Sequence, residues 1–152
     1  MNIAENYQQI TQTILATFEE TTLLFCDELI DSEIPSTAEG MVGSEVPFTL
    51  QDKSYKFGVI GNSGVFVKYL ESSPGLIDGE VDDIIISQVC DEITNIIIGV
   101  FLDEIENGDS ADFTIPTTLN KSDLVGIINK DKLFSYWLRA EDYFVLFYVE
   151  QL

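Results

Sequence analysis

Residues 90–99 read CDEITNIIIG, inside a longer run, 82–106, whose apolar positions recur every three to four residues. That period predicts a helix. At about 100° per residue, Ile86, Val89, Cys90, Ile93, Ile97, Val100 and Phe101 fall on one side and are expected to face a core. Gln88, Glu92, Asn95, Gly99, Asp103 and Glu106 line the opposite side. Glu92 and Asn95 therefore stand one turn apart on the outer face, with Gly99 next along. A glycine inside a helix costs about 1 kcal/mol relative to alanine. Its use on an outer face is to let another surface approach the backbone. Polar residues on a solvated helix face need no special explanation, and the E-x-x-N spacing arises by chance in many helices.

Working outward, residues 2–30 predict a second long helix. Its stripe is Ile3, Tyr7, Ile10, Ile14, Phe18, Phe25 and Leu29. DSEIPSTAEG, 31–40, breaks it with Pro35 and Gly40. EVPFTLQ (45–51), YKFGVI (55–60) and VFVKYLE (65–71) read as strands. QDKS (51–54) reads as one turn, and GNSG (61–64) as a hairpin turn. SSPGLIDGEVDD, 72–83, reads as a loop whose acidic end suits a helix N-terminus. ENGDS, 106–110, stops the motif helix. DFTIPTTL (112–119) is an extended piece interrupted by Pro116, and KSDLVGIINK (121–130) a short helix or connector. KLFSYWLR (132–139) and YFVLFYVEQL (143–152) read as two strands joined by AED.

The expected architecture is α+β: one domain over 1–152, an antiparallel β-sheet with two long helices packed on one face. The terminal strand is strongly apolar. At a sheet edge it would favour a homodimer through sheet edges; inside the sheet it would not. Both placements stand open.

Composition excludes several functions. The chain carries 27 acidic and 7 basic residues, a net charge of −20. Nucleic-acid backbones and anionic membrane surfaces need clustered lysine and arginine, so neither is expected as a partner. Such charge serves solubility, or forms an acidic face for a basic partner. No apolar run is expected to reach the roughly 18–20 residues of a membrane span, and MNIAENYQQI lacks the basic start of a signal peptide. The expected location is the cytoplasm. With no histidine in the chain, serine–histidine and cysteine–histidine catalysis are excluded. Cys26 and Cys90 lie in LLFCDELI and ISQVCDEI, apolar stripes where a small buried hydrophobe fits better than a disulfide or a metal ligand.

EITNIIIG resembles the E-(I/L)-x-N-x-x-x-G signature of the CheC/CheX-type chemotaxis phosphatases. In that family a proline follows roughly twenty residues beyond the asparagine, and FTIPTTL places Pro116 there. The order of elements is similar too. A single E-x-x-N copy is nearer to CheX than to CheC. Gln88 stands where the family often has Asp or Ser, and Thr117 where it has a second proline. The 72–83 stretch is short for the helix that usually precedes the motif helix.

The resemblance implies a phosphatase acting on the aspartyl phosphate of a CheY-like receiver domain. Asn95 would orient the attacking water, since an amide both donates and accepts. Glu92 would pair with the receiver's lysine; a carboxyl that ordinarily titrates near about 4.3 is a poor base at neutral pH. Gln88, Gly99 and Pro116 are expected at the partner interface. No metal is expected on this chain, magnesium belonging to the receiver. Two other readings remain: a receiver-binding adaptor of the same fold without catalysis, and an acidic decoy that mimics DNA.

Overall fold

The structure, a computed structural model, describes residues 2–72 and 81–152. Most of the loop expected over 72–83 lies outside them. The elements run α1 (Tyr7–Thr22), β1 (Cys26–Glu28), β2 (Met41–Leu50), β3 (Lys53–Asn62), α2 (Ser63–Ser72), α3 (Asp83–Asp103), β4 (Asp112–Phe113), β5 (Thr117–Thr118), α4 (Lys121–Asn129), β6 (Phe134–Ala140) and β7 (Tyr143–Gln151). The strands form one antiparallel sheet in the order β1-β6-β7-β3-β2-β4, with β5 also on β2. This is the α+β architecture expected, with α1 and α3 on one face.

Period-2 alternation sets the two faces. Val42, Val46, Phe48, Phe57, Val59, Val145, Phe147 and Val149 point to the face covered by α1, α2 and α3. Met41, Ile60, Trp137, Leu146 and Tyr148 point to the other, where α4 supplies Leu124 and Ile128. The first core is aromatic. Phe101 of α3 meets Phe57 at 5.3 Å, Phe134 at 5.6 Å and Phe48 at 6.4 Å between ring centroids. Each ring so buried contributes about 1.5–3 kcal/mol.

Four expectations are corrected. The first helix ends at Thr22, not near residue 30, because Leu23 turns left-handed (φ 61°) and donates its N–H to the Glu19 carbonyl. Beyond it Cys26 joins β1, and Phe25, counted on the helical stripe, is 71% exposed. VFVKYLE is not a strand but most of α2. Val65, Phe66 and Leu70 are buried, a helical spacing that the β-branched composition masked. GNSG is therefore no hairpin turn. β3 runs through Asn62, whose Oδ1 accepts the Phe144 N–H at 2.7 Å, and Ser63 starts α2. Finally, Val100 is only half-buried.

β7 lies between β6 and β3, paired on both sides, so the apolar terminal strand offers no edge. The actual edges are the short β1, β4 and β5, the kind of edge that resists strand addition. α3 does have the length and mean hydropathy of a membrane span, 21 residues at 1.6, contrary to the expectation from sequence. Its apolar stripe is nonetheless taken up by the core: Ile86, Val89, Cys90, Ile93, Ile97, Ile98, Phe101 and Leu102 are all buried. Both cysteines are free and buried.

Candidate functional site

α3 starts where Asp82 caps it, accepting the Ile85 N–H at 2.9 Å. Asp83 follows in the first turn, where a negative charge opposes the helix dipole. The inner stripe fixes the rotation of the helix on β2, and so decides what points outward. Gln88, Glu92 and Asn95 are exposed. Gly99 is half-exposed, and a Cβ built on it meets no atom within 4 Å, so the space above it is open. The carboxylate and the amide thus stand on one accessible ridge, about a turn or 5.4 Å of helix apart at most.

The Pro116 segment lies along one flank of this ridge. Thr117 pairs with Glu45 and Thr118 with Ser44 of β2, while Phe113 pairs with Phe48 further along. The Thr118 hydroxyl donates to Asp91 Oδ2 at 3.4 Å, and the Phe48 ring meets Phe101. Residues 113–118 therefore run beside α3 between the levels of Phe101 and Asp91. Pro116 belongs to this segment, two residues before Thr118. It is half-buried, while Ile115 before it is 78% exposed.

α2 contributes a residue that sequence reasoning missed. The Tyr69 phenol pKa is raised, by burial first and then by the Glu92 charge and hydrogen bonding with Glu92. The spacing Val65–Phe66–Tyr69–Leu70 held the signal, which the strand reading of VFVKYLE discarded. Asp91 was missed as well. Its tie to Thr118 joins a helix to an edge strand far away in sequence, which no local pattern reports.

The ridge can do limited chemistry alone. α3 has four acidic residues, Asp83, Asp91, Glu92 and Asp103, and no lysine or arginine. Among the described residues no group of three or more His, Cys, Asp or Glu is placed to hold a metal ion. A groove of about 310 Å³ lies elsewhere, at the far end of the sheet, lined by Pro47, Phe48, Tyr55, Phe113 and Leu152 among others. The exposed amide and carboxylate are suited to insertion into a partner's site, not to enclosing a small substrate.

No family model matches the chain, and no curated protein matches it in sequence. Solved structures do share its fold. The chemotaxis protein CheX from Vibrio vulnificus superimposes with a TM-score of 0.63 at 9% identity over 93% of each chain. A chemotactic CheC-like protein from Shewanella oneidensis MR-1 gives 0.60 at 12% identity, covering 99% of this chain and 100% of that one. The CheX of a CheX-CheY-BeF3-Mg complex from Borrelia burgdorferi gives 0.57 at 14% identity, covering 95% and 97%.

Proposed function

We propose, from the fold shared with CheX and CheC-like chemotaxis proteins, that this chain docks on a CheY-like receiver domain and promotes hydrolysis of its aspartyl phosphate. One observation carries the reading: Glu92 and Asn95 stand exposed and a turn apart on α3. The protein of the same fold from Borrelia burgdorferi forms a complex with CheY.

The reaction is phosphoryl transfer to water. A water oxygen bonds to phosphorus while the bond to the aspartate oxygen breaks, releasing the carboxylate and inorganic phosphate. The transition state is loose, so in-line positioning and charge stabilisation matter most. The receiver supplies the phosphoaspartate, magnesium and a lysine. Asn95 accepts a hydrogen bond from the attacking water through Oδ1 and orients it, adding no charge near the phosphoryl group. Glu92 pairs with the receiver's lysine and fixes the register of docking. Gln88 and Gly99 border the contact, Gly99 by leaving room for the partner's backbone.

An adaptor that reads phosphorylation without removing it is favoured by two substitutions, Gln88 and Thr117, in the neighbourhood of the pair. A phosphorylated receiver from the same organism separates the readings when binding and phosphate release are measured together. Accelerated release supports the phosphatase. Tight binding with the receiver's own decay rate supports the adaptor, and no binding removes both.

A further inference from the structure

The 113–118 segment contains a break in register. Phe113 pairs with Phe48, and Thr117 pairs with Glu45. Between them Thr114, Ile115 and Pro116 face only Val46 and Pro47, so the edge strand carries one extra residue. An extra residue on one strand is a bulge, which bends that strand and re-aims its side chains. The ladder cannot close there, because Pro47 and Pro116 each lack an N–H. Both ends of the bulge are held. Phe113 and Thr117 are paired to β2, and the Thr118 hydroxyl donates to the Asp91 carboxylate of α3. At the centre of the bulge Ile115 is 78% exposed, more than any other large hydrophobic side chain among the described residues.

We propose that Ile115 is the apolar anchor of receiver docking: the bulge holds its side chain out on the flank of α3, where the CheY-like receiver buries it as Glu92 and Asn95 reach the phosphorylation site. This role rests on the reading of the α3 ridge as the receiver-docking surface. The outward residues of the ridge offer a partner little apolar surface: Gln88, Glu92 and Asn95 are polar, and Gly99 has no side chain. Polar contacts orient a partner, but the binding energy of a protein interface is concentrated in a few well-buried side chains. The receiver is the occupant because bulge and ridge are continuous. Residues 113–118 run beside α3 from the level of Phe101 to that of Asp91, the stretch that carries Glu92, Asn95 and Gly99. A domain that covers the pair covers this flank as well. Single apolar side chains on a surface need no explanation; Ile115 differs through the bulge that turns it out and the ties that hold the bulge against α3. A β-branched side chain also has few rotamers to lose on burial. In a chain of net charge −20, an uncharged anchor adds affinity that salt does not screen.

Titration with a receiver charged with beryllofluoride tests the anchor. Ile115→Ala weakens binding roughly 10-fold, the scale of trimming an aliphatic side chain buried in an interface. Its melting temperature stays within about a degree of wild type, because the side chain supports no core contact in the free protein. Ile115→Leu, which keeps the apolar volume, binds within about 3-fold of wild type, whereas Ile115→Asn binds no better than Ile115→Ala. Val125→Ala, which trims an exposed apolar side chain of α4 on the opposite face of the sheet, binds like wild type. Raising the salt concentration shrinks the loss caused by Glu92→Ala and leaves that of Ile115→Ala in place. Binding by Ile115→Ala as tight as wild type overturns the proposal, as does a loss that Val125→Ala shares, that Ile115→Leu fails to restore, that Ile115→Asn restores, or that salt removes. Wild-type protein that binds no activated receiver removes the docking reading and the anchor with it. Tight binding by Ile115→Ala beside weak binding by Glu92→Ala removes Ile115 alone.

Discussion

The Thr118 hydroxyl donates to the Asp91 carboxylate, 3.4 Å from Oδ2, and so fastens β5 to the helix that carries Glu92 and Asn95. β5 is only two residues long and holds to β2 through Ser44 and Glu45. The side-chain tie is thus a large part of what sets β5 against α3. Both partners are accessible to solvent, so the bond adds little to global stability, about 0.5 kcal/mol. Its effect is on placement. Thr118→Val leaves the melting temperature within a degree or two and slows receiver dephosphorylation roughly 3- to 10-fold, through a looser Pro116 segment. Thermal melting and a phosphate-release assay on the same variant check both halves.

The β2–β3 hairpin turns on Gln51 and Asp52, both left-handed at φ 51° and 63°. Two-residue turns of this hand match the twist of the strands, and they favour glycine at the second position. Asp52→Gly relieves the side-chain strain and raises stability by about 0.5–1 kcal/mol, a shift of roughly 1–4 °C for a chain of this size. A lower melting temperature would count against the turn assignment.

Cys26 closes the sheet edge as a buried thiol. Burial first, then the charges of Glu19, Asp27 and Glu141, push its pKa from 9.0 to about 12. Folding therefore favours the protonated thiol. The stability this contributes is fully present below the unfolded value of 9.0 and is lost as pH rises from there towards about 12. Denaturant melts should show stability falling across that window. In Cys26→Ala the slope becomes shallower, because one group no longer binds its proton more tightly in the folded state. Iodoacetamide at pH 8 should leave Cys26 unmodified in the native protein and label it once urea unfolds the chain.

How far the sequence was legible follows from where each signal resides. α3 was readable nearly to its ends because its stripe is long, its cap is Asp82 and its period is clean; the same period set Glu92 and Asn95 outward. The β2–β3 and β6–β7 hairpins were readable because short turns separate runs of β-branched and aromatic residues. α2 was not, since Val65, Phe66, Val67 and Tyr69 are strand formers by composition and only packing against α3 makes them helical. The first helix was drawn too long for the converse reason: Phe25 and Leu29 keep the helical spacing, yet Leu23 has already reversed the backbone. At the ridge, the residues on α3 were local and legible. Tyr69 and Thr118 belong to it through contacts between distant segments, which a pattern along the chain does not record.

The account stands or falls on Asn95. Phosphate release from a phosphorylated receiver of the same organism, followed with wild type and with Asn95→Ala at matched concentrations, tests it most directly. The exposed amide supports no core contact, so the variant should fold and melt like wild type. Its rate should drop by roughly 10²- to 10³-fold, the scale of removing one positioned polar group from a catalytic site. A folded Asn95→Ala protein that releases phosphate as fast as wild type would contradict the account.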